Sequence, residues 1–333
     1  MRIWTVFVAI MLMFAKASAG TVGFQQVAVP DPEGRPIEVG IWYPSVGQAS
    51  SQPIGPFRQT VAVKSEVSGN RLPLILISHG TGGSLASHYD TALALAQAGF
   101  VVAALTHTGD NYRDQSYAGN HKDLTDRPRQ VRLVLEYMLA TWPSRDRLDG
   151  ARIGMFGFSL GGFTTLVEVG GTPTLGRMAQ LCSTHPTAPE CGFIKAAKGD
   201  QLDPIPATSH PVWIHDARIK AAVVAAPAAS LLFGPDDLKQ VSIPIQLWRA
   251  SNDQQVVDEW NTAIIRKQLP ETEEHVVPGA GHYVFLAPCS DALAKQAPQI
   301  CEDASGFDRT EFHQKFNSNI VAFFIKNLAI VAR

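Results

Sequence analysis

Ser159 sits in the run Gly157-Phe158-Ser159-Leu160-Gly161, a G-x-S-x-G arrangement. A serine hydroxyl is a weak nucleophile near neutral pH, so it needs a base within hydrogen-bond reach, and that base needs a carboxylate to orient it. The glycines suit a sharp strand-to-helix turn, where a Cβ on either side would clash and the serine Oγ stands above the strand ends. The flanking residues supply that context. Residues 153–156 are an apolar run into the motif, and 160–169 are compatible with a helix. A nucleophile presented this way is followed in the chain by its acid and then by its histidine. Of ten histidines, His275, His282 and His313 follow the acid region. His282 lies in Gly279-Ala280-Gly281-His282-Tyr283, a glycine-rich loop just after the last predicted strand, and is the candidate base. His275 falls inside a strand pattern and His313 on a helix, which gives both structural roles. Asp253, in Ala250-Ser251-Asn252-Asp253-Gln254, follows a predicted strand at the place where a carboxylate could reach the histidine Nδ1. Asp236 and Asp237 are the competing carboxylates. The end of the preceding strand reads Ala225-Ala226-Pro227-Ala228-Ala229 and offers none.

The oxyanion of an acyl-transfer intermediate needs backbone donors. The N–H of Leu160, next to the nucleophile, is one candidate. Thr81, in the loop Ser78-His79-Gly80-Thr81-Gly82-Gly83, is the other, because the glycines let N–H groups turn inward. His79 reads as a structural hydrogen-bonding residue. The loop lacks the G-x-x-x-x-G-K-[ST] pattern of a phosphate cradle, and the chain has no H-E-x-x-H, so no cofactor and no metal is expected.

Eight segments read as strands: 23–29, 37–43, 72–78, 100–105, 152–156, 219–226, 243–248 and 274–277. Helical patterns fall at 84–98, 127–141 (with Asp126 as its cap), 160–169, 258–269 and 309–328. Strands alternating with helices imply a mostly parallel α/β sheet. No internal repeat or low-complexity linker divides the chain, so residues 20–333 are expected to form one domain. Two long loops interrupt the rhythm, at about 170–218 and 287–307, and read as lid-like insertions.

Residues 1–19 have the layout of a secretory signal peptide: Arg2, an apolar run over 3–14, and Ala17-Ser18-Ala19 before Gly20. That run is too short to span a bilayer easily, so export to the periplasm or medium is expected, with no stable membrane span. An oxidising destination favours disulfides. Cys182–Cys191 and Cys289–Cys301 are the expected pairs, each closing a short, polar, helix-poor loop. Lys and Arg number 28 against 30 Asp and Glu, a balance with no electrostatic footprint for nucleic acid. The composition, 45% hydrophobic and 17% charged, excludes a disordered chain.

Taken in order, Ser-His-Gly-Thr-Gly-Gly, Gly-Phe-Ser-Leu-Gly-Gly, Asp253 and Gly-His-Tyr resemble the α/β-hydrolase superfamily. The strand ending Ile-Trp-Tyr-Pro at residue 44 and the run Asp126-Arg127-Pro128 resemble the predicted dienelactone hydrolases and the bacterial relatives of platelet-activating-factor acetylhydrolases. The resemblance implies a mostly parallel eight-stranded sheet flanked by helices, and a serine hydrolase of esters. Two departures stand out. Dienelactone hydrolases use cysteine where this chain has Ser159, and the acetylhydrolases carry their acid where this chain has the alanines at 225–229. The expected substrate is a small-molecule or polymeric ester with a short acyl chain, the acyl pocket shaped by Phe158, Leu160, Phe163 and the loop at 108–112. A peptidase or amidase on the same residues, or a non-catalytic binding module, are the alternatives. Activity is expected to fall as pH drops and the histidine base takes up a proton. A flat pH–rate profile from acid to alkaline would count against this arrangement.

Overall fold

The computed structural model describes residues 20–198 and 212–329. The expected signal peptide at 1–19 and part of the first insertion, 199–211, lie outside them. Among the described residues, ten strands form one sheet: β1 Thr21–Val29, β2 Ile37–Ser45, β3 Ser50–Ile54, β4 Phe57–Val63, β5 Leu72–Ser78, β6 Val101–Thr106, β7 Leu148–Phe158, β8 Ile219–Ala225, β9 Ile245–Ala250 and β10 Glu273–Val277. Their spatial order is β10-β9-β8-β7-β5-β6-β2-β1-β4-β3. The six strands from β6 to β10 across β5 and β7 run parallel, and β2 pairs antiparallel with β6.

All eight expected strands are present. The sheet has ten because a hairpin, β3–β4, adds to its edge through β1. Its first strand, Ser-Ser-Gln-Pro-Ile, carries little apolar signal, and the second buries Gln59 on its inward face. That glutamine accepts a 2.7 Å hydrogen bond from Trp42 Nε1, so burial there is polar and invisible to a hydrophobic pattern.

The central strands are buried along their whole length, as both faces are covered. One face packs α1 (Tyr89–Gln97) and α9 (Arg309–Asn327). There Phe316 lies among Phe156, Trp248, Phe285 and Phe312. The other face packs α2 (His121–Ala140) and α3 (Leu160–Glu168), with Val134, Leu135 and Met138 fully buried against Leu74 and Leu76. The helix α2 starts six residues before the expected 127. Asn120, not Asp126, caps it by accepting from Lys122 N–H, while Asp126, itself buried, pairs with the Lys122 ammonium. Pro128 is accommodated inside the first turns.

Both insertions are helical rather than helix-poor. The first holds α4 (Gly176–Thr184) and α5 (Pro189–Lys198), and α6 (Thr262–Gln268) lies beyond it. The second holds α7 (Asp291–Gln296) and α8 (Pro298–Cys301). The disulfides pair as expected, Cys182–Cys191 and Cys289–Cys301, with Cα separations of 5.5 and 5.8 Å. The first ties α4 to α5, and the second ties the segment before α7 to the end of α8, which supplies the order that single helices of this length lack in water. Among the described residues no helix is long and apolar enough to cross a membrane.

The aromatic cluster around Phe316 holds α9 against the strands that carry the site. Phe316→Ala is expected to cost about 3–5 kcal/mol, read as a drop in the denaturant midpoint. A change within about 0.5 kcal/mol would show that the cluster collapses into the space instead.

Candidate active site

Ser159 leaves β7 with φ 53° and ψ −120°, a backbone conformation that L residues rarely hold. Its N–H donates to Ala225 O on β8 at 2.9 Å, and its carbonyl accepts from Gly162 at 2.8 Å and from Ala228 at 3.0 Å. The turn is tight enough to require its glycines. A Cβ on Gly157 would lie 2.1 Å from Gly161 O, and one on Gly161 would lie 2.0 Å from Ser78 O.

His282 opens a short 3₁₀ turn after β10, and Asp253 follows β9. The two loops are joined by backbone: Ser251 N–H donates to Val277 O at 3.0 Å, and Asn252 N–H to Ala280 O at 2.9 Å. Across that junction His282 Nδ1 lies 2.7 Å from Asp253 Oδ2, and His282 Nε2 lies 3.0 Å from Ser159 Oγ. The other carboxylate oxygen of Asp253 accepts from the N–H groups of Gln255 and Val256 at 2.9 and 2.8 Å. Both oxygens are thus oriented, which fixes the proton-bearing nitrogen of His282 as Nδ1 and leaves Nε2 to accept from the serine. The ring of Phe158 covers that of His282 at 4.8 Å. Ser159, His282 and Asp253 are all largely buried.

The competing residues are occupied elsewhere. Asp237 accepts from Gly234 N–H at 2.7 Å. His275 stacks on Trp248 and bonds Glu273. His313, buried in α9, bonds Asp90 at 2.6 Å and Val284 O at 2.8 Å, so it holds the His282 turn from behind. Burial resists ionisation of Asp90, but His313 and Asn317 outweigh it and keep its carboxyl below the ordinary range.

Thr81 and Leu160 line the same cavity as Ser159 and His282. Among the described residues neither N–H has a protein acceptor. The loop carrying Thr81 is anchored by a buried network that the sequence analysis did not recognise. Gly82 N–H donates to Asp110 Oδ1 at 2.8 Å, Arg127 Nε bonds Asp110 Oδ2 at 3.1 Å, and Arg127 Nη1 donates to His79 O at 2.8 Å. Asp123 bonds the same guanidinium at 3.2 Å. His79 Nε2 accepts from His107 N–H, so its Nδ1–H donates to Gly80 O at 2.6 Å. His107 in turn spans Ser78 and Gln130. The available signal was Arg127 itself, one turn from Val131 on the apolar face of α2, where a charge must find buried partners.

These charges shift one another. Burial raises the Asp110 carboxyl, but Arg127 and His79 overcome it and hold it low. Burial, and then the charge of Asp110, pushes Asp123 well above the usual carboxylate range. The expected acyl-pocket residues divide. Phe158, Leu160 and Tyr112 line the cavity, but Phe163 is turned into the core against Phe233 and Trp213, and Thr108 is engaged by Gln130. The helix α3 is buried along its whole length, so Phe163 is claimed by packing rather than left to face the cavity. Among the described residues no group of three or more His, Cys, Asp or Glu side chains could hold a metal ion.

Burial holds His79 at a pKa of about 3 and His88, beside Phe158, at about 4, and it holds His107 well below its ordinary value. His79 and His88 stay neutral in the folded protein at pH 5, whereas in the unfolded chain histidines charge below about pH 6.5. A depressed folded pKa gives stability above the unfolded value that is lost as pH falls toward the folded one. The urea midpoint is therefore expected to drop between pH 7.5 and 5. An unchanged or rising midpoint would refute the buried-histidine account.

The family model described as the alpha/beta hydrolase family matches residues 44–295. Among solved structures, the chain is similar to a ferulic acid esterase from Streptomyces cinnamoneus. The TM-score is 0.61 at 16% identity, covering 96% of this chain and 95% of that one. No curated protein matches the sequence. The topology, the elbow at Ser159 and the family match converge on one assignment: the chain belongs to the alpha/beta hydrolase family.

Proposed function

We propose that this protein is an exported serine hydrolase of carboxylic esters. The observation that carries the reading is the unbroken line Ser159 Oγ–His282 Nε2–Asp253 at 3.0 and 2.7 Å. The two unengaged N–H groups of Thr81 and Leu160 beside it serve as the oxyanion hole. Similarity to a ferulic acid esterase, and two disulfides suited to an oxidising compartment, support the ester and export parts of the reading.

Ser159 Oγ attacks the ester carbonyl carbon as its proton passes to His282 Nε2. Asp253 keeps the other ring nitrogen protonated and stabilises the imidazolium. The carbonyl oxygen becomes an oxyanion between the Thr81 and Leu160 N–H groups. His282 then protonates the departing alcohol and leaves an acyl-serine. Water, deprotonated by His282, attacks the acyl carbon, and the proton returns to Ser159 as the acid departs. The helix α3 begins at Leu160, so its N-terminal dipole adds positive potential where the oxyanion forms.

Hydrolysis of p-nitrophenyl acetate and butyrate by the purified chain tests the reading. Ser159→Ala is expected to lower kcat by at least about 10⁴-fold with the fold retained, and Asp253→Asn by roughly 10³–10⁴-fold. Equal rates in wild type and Ser159→Ala would remove Ser159 as the nucleophile.

A further inference from the structure

The cavity above Ser159 is far larger than a short ester needs. Its volume is about 1030 Å³, at the upper end of the roughly 300–1,000 Å³ that small-molecule pockets span. It extends to both sides of the nucleophile. Ser159 leaves β7, with β5 on one side and β8 then β9 on the other. On the β5 side the walls are Phe57 at the start of β4, Leu286, Leu293 and Ile300. There the second insertion is fastened down by Ala287 N–H to Ser87 O at 3.0 Å and by Ser290 Oγ to Pro56 O at 2.7 Å. On the side of β8 and β9 the walls are Leu175, Met178, Phe193 and Leu232, beneath α4 and α5. Each disulfide closes one roof: Cys289–Cys301 over the first arm, Cys182–Cys191 over the second.

The charges of the lining point the same way. Among the described lining residues there is no lysine and no arginine. The acidic ones, Glu38, Asp123 and Glu190, are bonded to Arg113, Arg127 and Asn261. A carboxylate or phosphate on the substrate would meet largely apolar walls with no lysine or arginine of the lining to pair with. An uncharged ester with bulk at one end only would leave the opposite arm filled with water against apolar walls.

We propose that the cavity selects an uncharged ester with an apolar group on each side of the scissile bond, the acyl and alcohol groups divided between the two roofed arms. The proposal rests on the esterase reading above and adds a substrate class to it. In either orientation the carbonyl sits at the junction of the arms, where Ser159, Thr81 and Leu160 meet.

The test is kcat/KM by pH-stat for ethyl acetate, butyl acetate, ethyl butyrate and butyl butyrate, with p-nitrophenyl acetate as a common reference. Lengthening either end is expected to raise kcat/KM on the order of tenfold, and lengthening both to raise it further. Monobutyl succinate, an anion, is expected to be at least about a hundredfold slower than its near-isostere butyl pentanoate. Phe193→Ala and Ile300→Ala should each remove the gain for a different end, read as the butyl-to-ethyl ratio within each variant so that any general loss of rate cancels. A gain confined to one end, the same end affected by both variants, or equal rates for the anionic and neutral pair would overturn the proposal while the esterase reading stood. Absence of Ser159-dependent turnover on every ester, p-nitrophenyl acetate included, would overturn both.

Discussion

Holding Ser159 at positive φ costs of order 1–3 kcal/mol, and the chain persists there only because its neighbours leave no alternative. The constraint is mutual. Gly157 and Gly161 have no room for a Cβ, Gly80 approaches the serine Cβ, and the Ser159 carbonyl is shared by Gly162 and Ala228. Relaxing the serine would therefore break the packing of β7 on α3 and the register of β7 with β8. Every other functional group is arranged relative to this one strained residue.

Two kinds of support bring the partners to it. Asp253 and His282 stand on separate loops 29 residues apart in sequence, yet backbone hydrogen bonds between those loops make them one rigid edge. The loop carrying Thr81 is held differently, by buried charge. Arg127 bonds Asp110, Asp123 and the His79 carbonyl at once, and removing it would leave carboxyl groups and a carbonyl unpaired in a dry site. Such a pair is costly to bury, and breaking it costs more, roughly 3–5 kcal/mol. Its value here is positional, because it fixes where the Thr81 N–H lies relative to Ser159.

Around this rigid centre the cavity is built from the least regular parts of the chain. The roofs are short helices with little intrinsic stability, α4–α5 and α7–α8, and each is tied by one disulfide and packed by a few apolar side chains. A scaffold of fixed strand ends with adaptable roofs allows substrate range to change while the chemistry stays in place.

The sequence by itself determined the elements whose signals are local. Eight strands, the elbow at Ser159, and the candidates Asp253 and His282 were legible because apolar runs, glycine spacing and chain order each constrain a short window. The cysteine pairing was legible for the same reason, since its loops are short. Tertiary structure decided whatever depended on distant partners. The hairpin β3–β4 buries Gln59 against Trp42 between Phe57 and Val61, and a buried polar pair interrupts the hydrophobic period. The start of α2, the insertion helices, and the burial of Phe163 in place of a pocket role each followed from what packed against them. Arg127 reads as an ordinary helix residue until Asp110 and the His79 carbonyl, 17 and 48 positions away, are folded onto it. Local propensity acts over a few residues, whereas burial and charge pairing act between segments that only the folded chain brings together.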